Sequence, residues 1–198
     1  MSNELRDSTE HPEIVSTETV YNGAVWDVAK ETFHYGEGEL TRDYVNHPGA
    51  SAVVAVNESG EVLLLRQYRH PVRSRNWELP AGLLDVPGED PVECAHRELA
   101  EEADYRADEM IHLSTLNVSP GGSNETINIY LARGLHPIEH DYVKTGEEAD
   151  LEVRFWPLDQ AVDAAMSGLM RNQISVTGIL MAHVWIQQHY PDSRGSPG

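Results

Sequence analysis

The sequence is short of cysteine, of lysine and of long apolar runs, and each shortage excludes something. Cys94 is the one cysteine, so no internal disulfide holds the chain; on the helix described below it reads as a small core or flank residue, not a nucleophile. Lysine occurs only at Lys30 and Lys144, so nearly all of the 14 basic residues are arginine, against 33 acidic ones and a net charge of −19. That balance disfavours nonspecific binding to nucleic acid or to an anionic membrane, both of which need clustered positive charge. It would also repel a phosphate-bearing substrate unless local arginines and metal ions offset it. Arginine suits bidentate phosphate recognition, although biased genomic composition explains its use equally well. No apolar run approaches about 18 residues, and the opening MSNELRDSTEHPE is too polar for a signal peptide. The expectation is a cytoplasmic protein with neither a nucleic-acid nor a membrane partner.

A chain of 198 residues, 40% hydrophobic, suits one domain with an added arm and a sizeable core. Residues 1–13 read as disordered. Residues 14–48 read as an antiparallel β arm, with strand-like alternation from Ile14 to His34, a two-residue turn at Asn22-Gly23 and a short strand over Leu40–Val45. Residues 49–190 read as the main domain and 191–198 as a flexible tail. Ser51–Val56 and Glu61–Tyr68 read as a second hairpin, Trp77–Gly82 as a short strand, and Ile111–Val118 and Thr126–Ala132 as strands flanking the loop Ser119–Glu125. His140–Asp150 is a long acidic loop of the kind that often carries function. A last strand at Leu151–Trp156 precedes helices at Pro157–Leu169 and Ile174–Gln188.

The stretch that organises the rest is Gly82–Tyr105, GLLDVPGEDPVECAHRELAEEADY. Asp90 is a good N-cap, Pro91 suits the first helical position and Glu93 stands where a capping-box acid belongs. Val92, Ala95, Leu99 and Ala103 recur at spacings of three and four and make one apolar face. Glu98, Glu101 and Glu102 fall off it, with Glu98 and Glu102 about 40° apart around the axis. Like charges so spaced repel, and Mg2+, a hard ion that takes oxygen ligands and leaves room for substrate phosphates, would relieve them. The alternative is a solvated acidic face.

The pattern as a whole resembles the Nudix box, G-x5-E-x7-R-E-U-x-E-E-x-G-U, where U is bulky and aliphatic. Glu89 is followed after seven residues by Arg97-Glu98-Leu99, then by Glu101-Glu102. Two departures stand out. Gly82 and Glu89 are separated by six residues instead of five, an insertion that falls in the loop ahead of the helix. Asp104 and Tyr105 replace the late glycine and aliphatic residue, and aspartate tolerates a left-handed helix end better than most residues. The segments RDYV, LLLRQYRHPV, WELPAGLLD and SPGGSNE look like the ADP-ribose pyrophosphatase subfamily, over about Tyr21–His189.

The resemblance implies an α/β fold, a Nudix-type α/β/α sandwich with a mixed sheet plus the N-terminal β arm. It implies a homodimer with exchanged N-terminal strands, and metal-dependent hydrolysis of ADP-ribose to AMP and ribose 5-phosphate. Two or three Mg2+ ions per site, with Mn2+ as the substitute, would sit on Glu98, Glu101, Glu102 and the carbonyl of Ala81. Arg97 would pair with Glu89 and stay out of the chemistry. Trp26 matches the aromatic that stacks adenine, with dimer core as its equal alternative. Arg42 and Arg66 are candidates for phosphate and ribose contacts, or else surface ion-pair partners, and Glu125 completes the substrate set. The general base falls at Glu147, with Glu148 as close competitor, unless that loop is only a solvated acidic segment. The competing functions are a Nudix hydrolase of another nucleotide sugar of the GDP-mannose type, one of broad specificity, and a non-catalytic ADP-ribose-binding sensor. The charge of −19 opposes an mRNA-cap substrate.

Overall fold

The structure is a computed structural model and describes residues 5–139 and 150–190. Glu147 and Glu148 lie outside the described residues. The chain divides into two compact units: the N-terminal segment through His47 with Ser119–Glu125, and the remainder from Pro48 to Val118 and from Thr126 onward.

In the first unit β1 (Ile14–Tyr21), β2 (Asp27–Tyr35) and β3 (Gly38–Asn46) form an antiparallel sheet in chain order. The expected two-residue turn at Asn22-Gly23 is corrected. The connection spans residues 22–26, because the Asp27 carboxylate accepts the Gly23 N–H at 3.2 Å and a bulge interrupts the register between Thr19 and Tyr21. Trp26 therefore sits in the loop and not on a strand. The tight turn comes one hairpin later, where Gly36 takes a positive φ of 63° between the paired Tyr35 and Gly38. Ser119–Glu125 is pinned to β3: Val45 N–H donates to Gly122 O at 2.9 Å, and Asn124 Nδ2 to Asn46 Oδ1 at 2.7 Å.

The second unit is layered. β4 (Ala50–Ala55) is buried along its whole length and lies between β7 (Ala81–Leu83) and β9 (Thr126–Pro137), with β8 (Tyr105–Asn117) at the edge beyond β9. β5 (Glu61–Arg69) lies between β6 (Ser74–Glu78) and β10 (Glu152–Pro157) in a separate sheet. The expected β4–β5 hairpin is thus corrected. An isolated bridge, Val56 to Val62, joins the adjoining ends of the two, and β4 instead runs parallel to β9 from Ala50/Ile127 to Ala55/Ala132. A strand covered on both faces reads as a continuous apolar run, which is what SAVVAV is.

Alternation along the strands feeds two cores. Val54, Val62 and Leu64 face one, with Ile179 and Ala182 of α3 (Gln173–His189) and Ala161 of α2 (Leu158–Met166). Val53, Leu63 and Leu65 face the other, with Ala95, Leu99 and Ala103 of α1 (Pro91–Ala103). Helices on both sides of strands make the expected α/β/α arrangement within this unit. Among the described residues, no helix is long and apolar enough to cross a membrane.

Gly178 sets how closely α3 lies on the strands, since a Cβ there would stand 2.8 Å from Leu79 Cδ1 and 3.1 Å from Val54 Cγ2. Alanine normally gains up to ~1 kcal/mol over glycine within a helix. Overpacking costs about 1–3 kcal/mol, and both neighbours are in the core, so the steric term wins. Gly178→Ala is expected to lower the urea midpoint of unfolding; a raised midpoint would contradict this packing.

Candidate active site

α1 forms as its sequence dictates. Asp90 Oδ1 accepts the Val92 N–H at 3.1 Å, Pro91 opens the helix, and Asp104 closes it in the left-handed region at φ 63°. The apolar stripe then fixes the helix rotation. With Ala95 and Leu99 fully buried, Glu98 and Glu102 are carried into the protein at 8% and 7% exposure, while Glu101 stays half-buried. The solvated-face alternative fails for the first two.

Three local devices accommodate the buried acids. Glu102 Oε2 accepts the N–H of Ala81, on β7, at 2.8 Å. Gly82 gives the Glu98 carboxylate its space: a Cβ on residue 82 would stand 1.9 Å from Glu98 Oε1. Arg97 engages Glu89 with both ends of its fork, Nε to Oε1 and an NH2 to Oε2, each at 2.9 Å, and also donates to Leu83 O at 3.3 Å. It further pairs with Glu98 and, at 3.4 Å, with Glu101. The Arg97 hydrogen bonds hold Glu89 below the usual carboxylate range, and Glu89 in turn raises the affinity of Arg97 for its proton. In the loop that holds the extra residue, Gly88 takes a positive φ of 81°. Cys94 is fully buried beside this cluster, and burial, with the charge of Glu98, pushes its thiol up to about 11. It is a protonated core residue at neutral pH.

The remaining expected residues are placed less tightly. Arg66 pairs with Glu152 at 3.5 Å and lies 5.8 Å from the Trp77 ring centroid. Cross-strand partners share a face, so Arg66 stands with Trp77 and Leu64, on the side of β5 away from α1. Arg69 stands instead on the Leu63–Leu65 side and binds Glu78, 5% exposed, through contacts of 2.8 to 3.3 Å. Sequence reasoning missed this pair, although a count of two along RQYR would have separated the faces. In the arm unit, Trp26 is 43% exposed, Arg42 donates to the Thr41 carbonyl at 2.8 Å, and Glu125 approaches His47 at 4.0 Å.

A NUDIX domain matches residues 45–175, and the chain belongs to the Nudix family. It is 38% identical over 172 residues to the ADP-ribose pyrophosphatase of Mycobacterium tuberculosis, covering 86% of this chain and 83% of that one. The ADP-ribose pyrophosphatase of Bacillus subtilis is 35% identical over 126 residues, 63% of this chain and 68% of its own. A crystal structure of an ADP compounds hydrolase superimposes with a TM-score of 0.74 at 25% identity, over 93% of this chain and 99% of that one.

The family implies a divalent metal. Among the described residues, no three His, Cys, Asp or Glu side chains form a ready-made cluster; the acids converge on Arg97 and on β7. The donor set still fits a hard divalent ion, because it is all oxygen and includes two buried carboxylates, which are costly to bury without a compensating charge.

The Glu89–Arg97 pair predicts an acid dependence. A carboxylate whose pKa is depressed by folding stabilises the protein above its unfolded value, about 4.3 for glutamate, and loses that contribution as pH falls through the folded value. Urea unfolding across this range should show a steeper acid loss in wild type than in Arg97→Ala; equal slopes would contradict the pairing.

Proposed function

We propose that the protein hydrolyses the pyrophosphate bond of ADP-ribose to AMP and ribose 5-phosphate. The likeness over 172 residues to an ADP-ribose pyrophosphatase carries the reading, and the buried carboxylates of α1 beside β7 support it. Mg2+, two or three ions per site with Mn2+ as substitute, would be held by Glu98, Glu101, Glu102 and the carbonyl of Ala81. Such ions, when bound, neutralise the pyrophosphate and acidify water.

The protein's own groups do the rest. The Ala81 N–H orients the Glu102 carboxylate, and the bidentate Arg97–Glu89 pair ties the loop ahead of α1 to the helix. A carboxylate of the acidic loop, Glu147 in preference to Glu148, takes a proton from water as its oxygen bonds to one phosphorus and the bridging P–O bond breaks. Trp26 stacks adenine, and Arg42 and Glu125 contact the remainder of the substrate. The face on which Arg69 lies favours it over Arg66 for a phosphate. The exposed edge strand β1, with Ile14, Val15, Val20 and Tyr21 all at least 45% accessible, supports a homodimer built through the arm. The setting is the cytoplasm.

Incubation with ADP-ribose, GDP-mannose and NADH, with Mg2+ or EDTA, tests the reading. AMP is expected fastest from ADP-ribose and only with metal. Glu102→Gln should lower the rate by about a hundredfold or more, the scale of losing one transition-state electrostatic contact. Glu147→Gln should be more damaging than Glu148→Gln. Faster turnover of GDP-mannose would replace the substrate, and binding of ADP-ribose without cleavage would make the protein a sensor.

A further inference from the structure

We infer that Ser175, anchored by Asn172 at the start of α3, is a positioning residue for Glu102. The inference rests on the proposed function only in reading Glu102 as a metal ligand.

The chain crosses from β6 in one sheet to β7 in the other through Leu79 and Pro80, which lie outside both strands. There, backbone N–H groups lack ladder partners and need other acceptors. Pro80 has no N–H to place, and its carbonyl accepts from Val53 N–H at 2.9 Å. The N–H of Leu79 and that of Ala81, the first residue of β7, are taken by helices on opposite sides of the strands. Leu79 N–H donates to Ser175 Oγ, on α3, at 3.0 Å, and Ala81 N–H donates to Glu102 Oε2, on α1, at 2.8 Å. Three consecutive residues thus join the start of α3 to the acid of α1.

The α3 end of this link is built to be rigid. Ser175 is 1% exposed, and its hydroxyl donates to Asn172 Oδ1 at 3.0 Å, which aims an oxygen lone pair at Leu79. Asn172 Oδ1 also accepts the Ser175 N–H at 3.0 Å and so caps the helix. Gly178, one turn on, lets α3 lie against the Leu79 side chain. Leu79 is therefore fixed through both its backbone and its side chain. Pro80 restricts the backbone that follows, so the Ala81 N–H meets Glu102 in one place. Without the Ser175 hydroxyl, Leu79 loses its acceptor, and the Ala81 donor gains freedom to move away from the carboxylate.

The test compares wild type with Ser175→Ala, Asn172→Ala, Asn172→Asp and Asn57→Ala. Asn57 caps the β4–β5 turn through Glu61, at 2.9 Å on each of its two polar atoms, away from this link. Amide exchange at Leu79 and Ala81 is followed in metal-free protein, Mn2+ affinity is measured without substrate, and kcat and KM are then taken with ADP-ribose. Ser175→Ala and Asn172→Ala are expected to speed exchange at both amides and to weaken Mn2+ binding by up to about tenfold, the lower end of what losing a direct hydrogen-bond partner of a metal ligand costs. kcat should fall with little change in KM. Asn172→Asp, which keeps an acceptor and a cap, should restore all three readouts. Asn57→Ala should lower stability and leave them unmoved. Faster exchange at Leu79 alone, with wild-type Mn2+ affinity, would overturn the inference and leave Ser175 a core hydrogen bond. If Ser175→Ala does not fold, the Asn172 pair decides. A wild type inert towards ADP-ribose would remove the substrate reading and leave the exchange and Mn2+ results to judge the positioning.

Discussion

Two carboxylates on one side of a helix, brought below the surface by that helix's own apolar stripe, constrain everything around them. Burial of Leu99 and Ala95 is what carries Glu98 and Glu102 inward, and a carboxylate so placed needs donors and charge. The surroundings supply them: a residue without a side chain at Gly82, a backbone N–H at Ala81, and a guanidinium at Arg97 whose fork is taken up by Glu89. Each device costs something locally. Gly82 gives up side-chain packing, Ala81 gives its N–H to a side chain, and the loop ahead of α1 needs the positive φ of Gly88.

The rest of the second unit reads as the frame for that helix. β4 is buried on both faces, so it holds α1 on one side and α3 on the other while β9 runs parallel beside it. The link from β6 to β7 gives each of these helices one backbone hydrogen bond. The surroundings of Glu102 thus draw on packing from both sides of the strands, and α3 is joined to them without carrying any of the box residues.

What the sequence made legible was local. The start of α1 was readable because Asp90 and Pro91 act within one turn, and its buried face because Ala95, Leu99 and Ala103 repeat at the helical period. The left-handed end at Asp104 was readable from the tolerance of aspartate for that conformation. What escaped was non-local or depended on phase. SAVVAV followed by a turn and EVLLLRQY looks like a hairpin, and nothing in it shows that β4 pairs with β9, more than 70 residues on. The Asn22-Gly23 turn gave way to Asp27, a competing acceptor four residues away. Arg66 and Arg69 are both strand arginines, and only the strand's phase relative to Leu63 and Leu65 separates their faces. Ser175 carried no signal at all, because its role lies in a backbone N–H 96 residues away.

The most direct measurement is the anomalous difference map of crystals soaked in Mn2+. Peaks are expected beside Glu98 and Glu102 on α1, next to Ala81, with Arg97 still bidentate to Glu89. Peaks confined to the surface acids, with Glu98 and Glu102 unmoved and unliganded, would show that the buried carboxylates serve the fold and not the metal, and would contradict it.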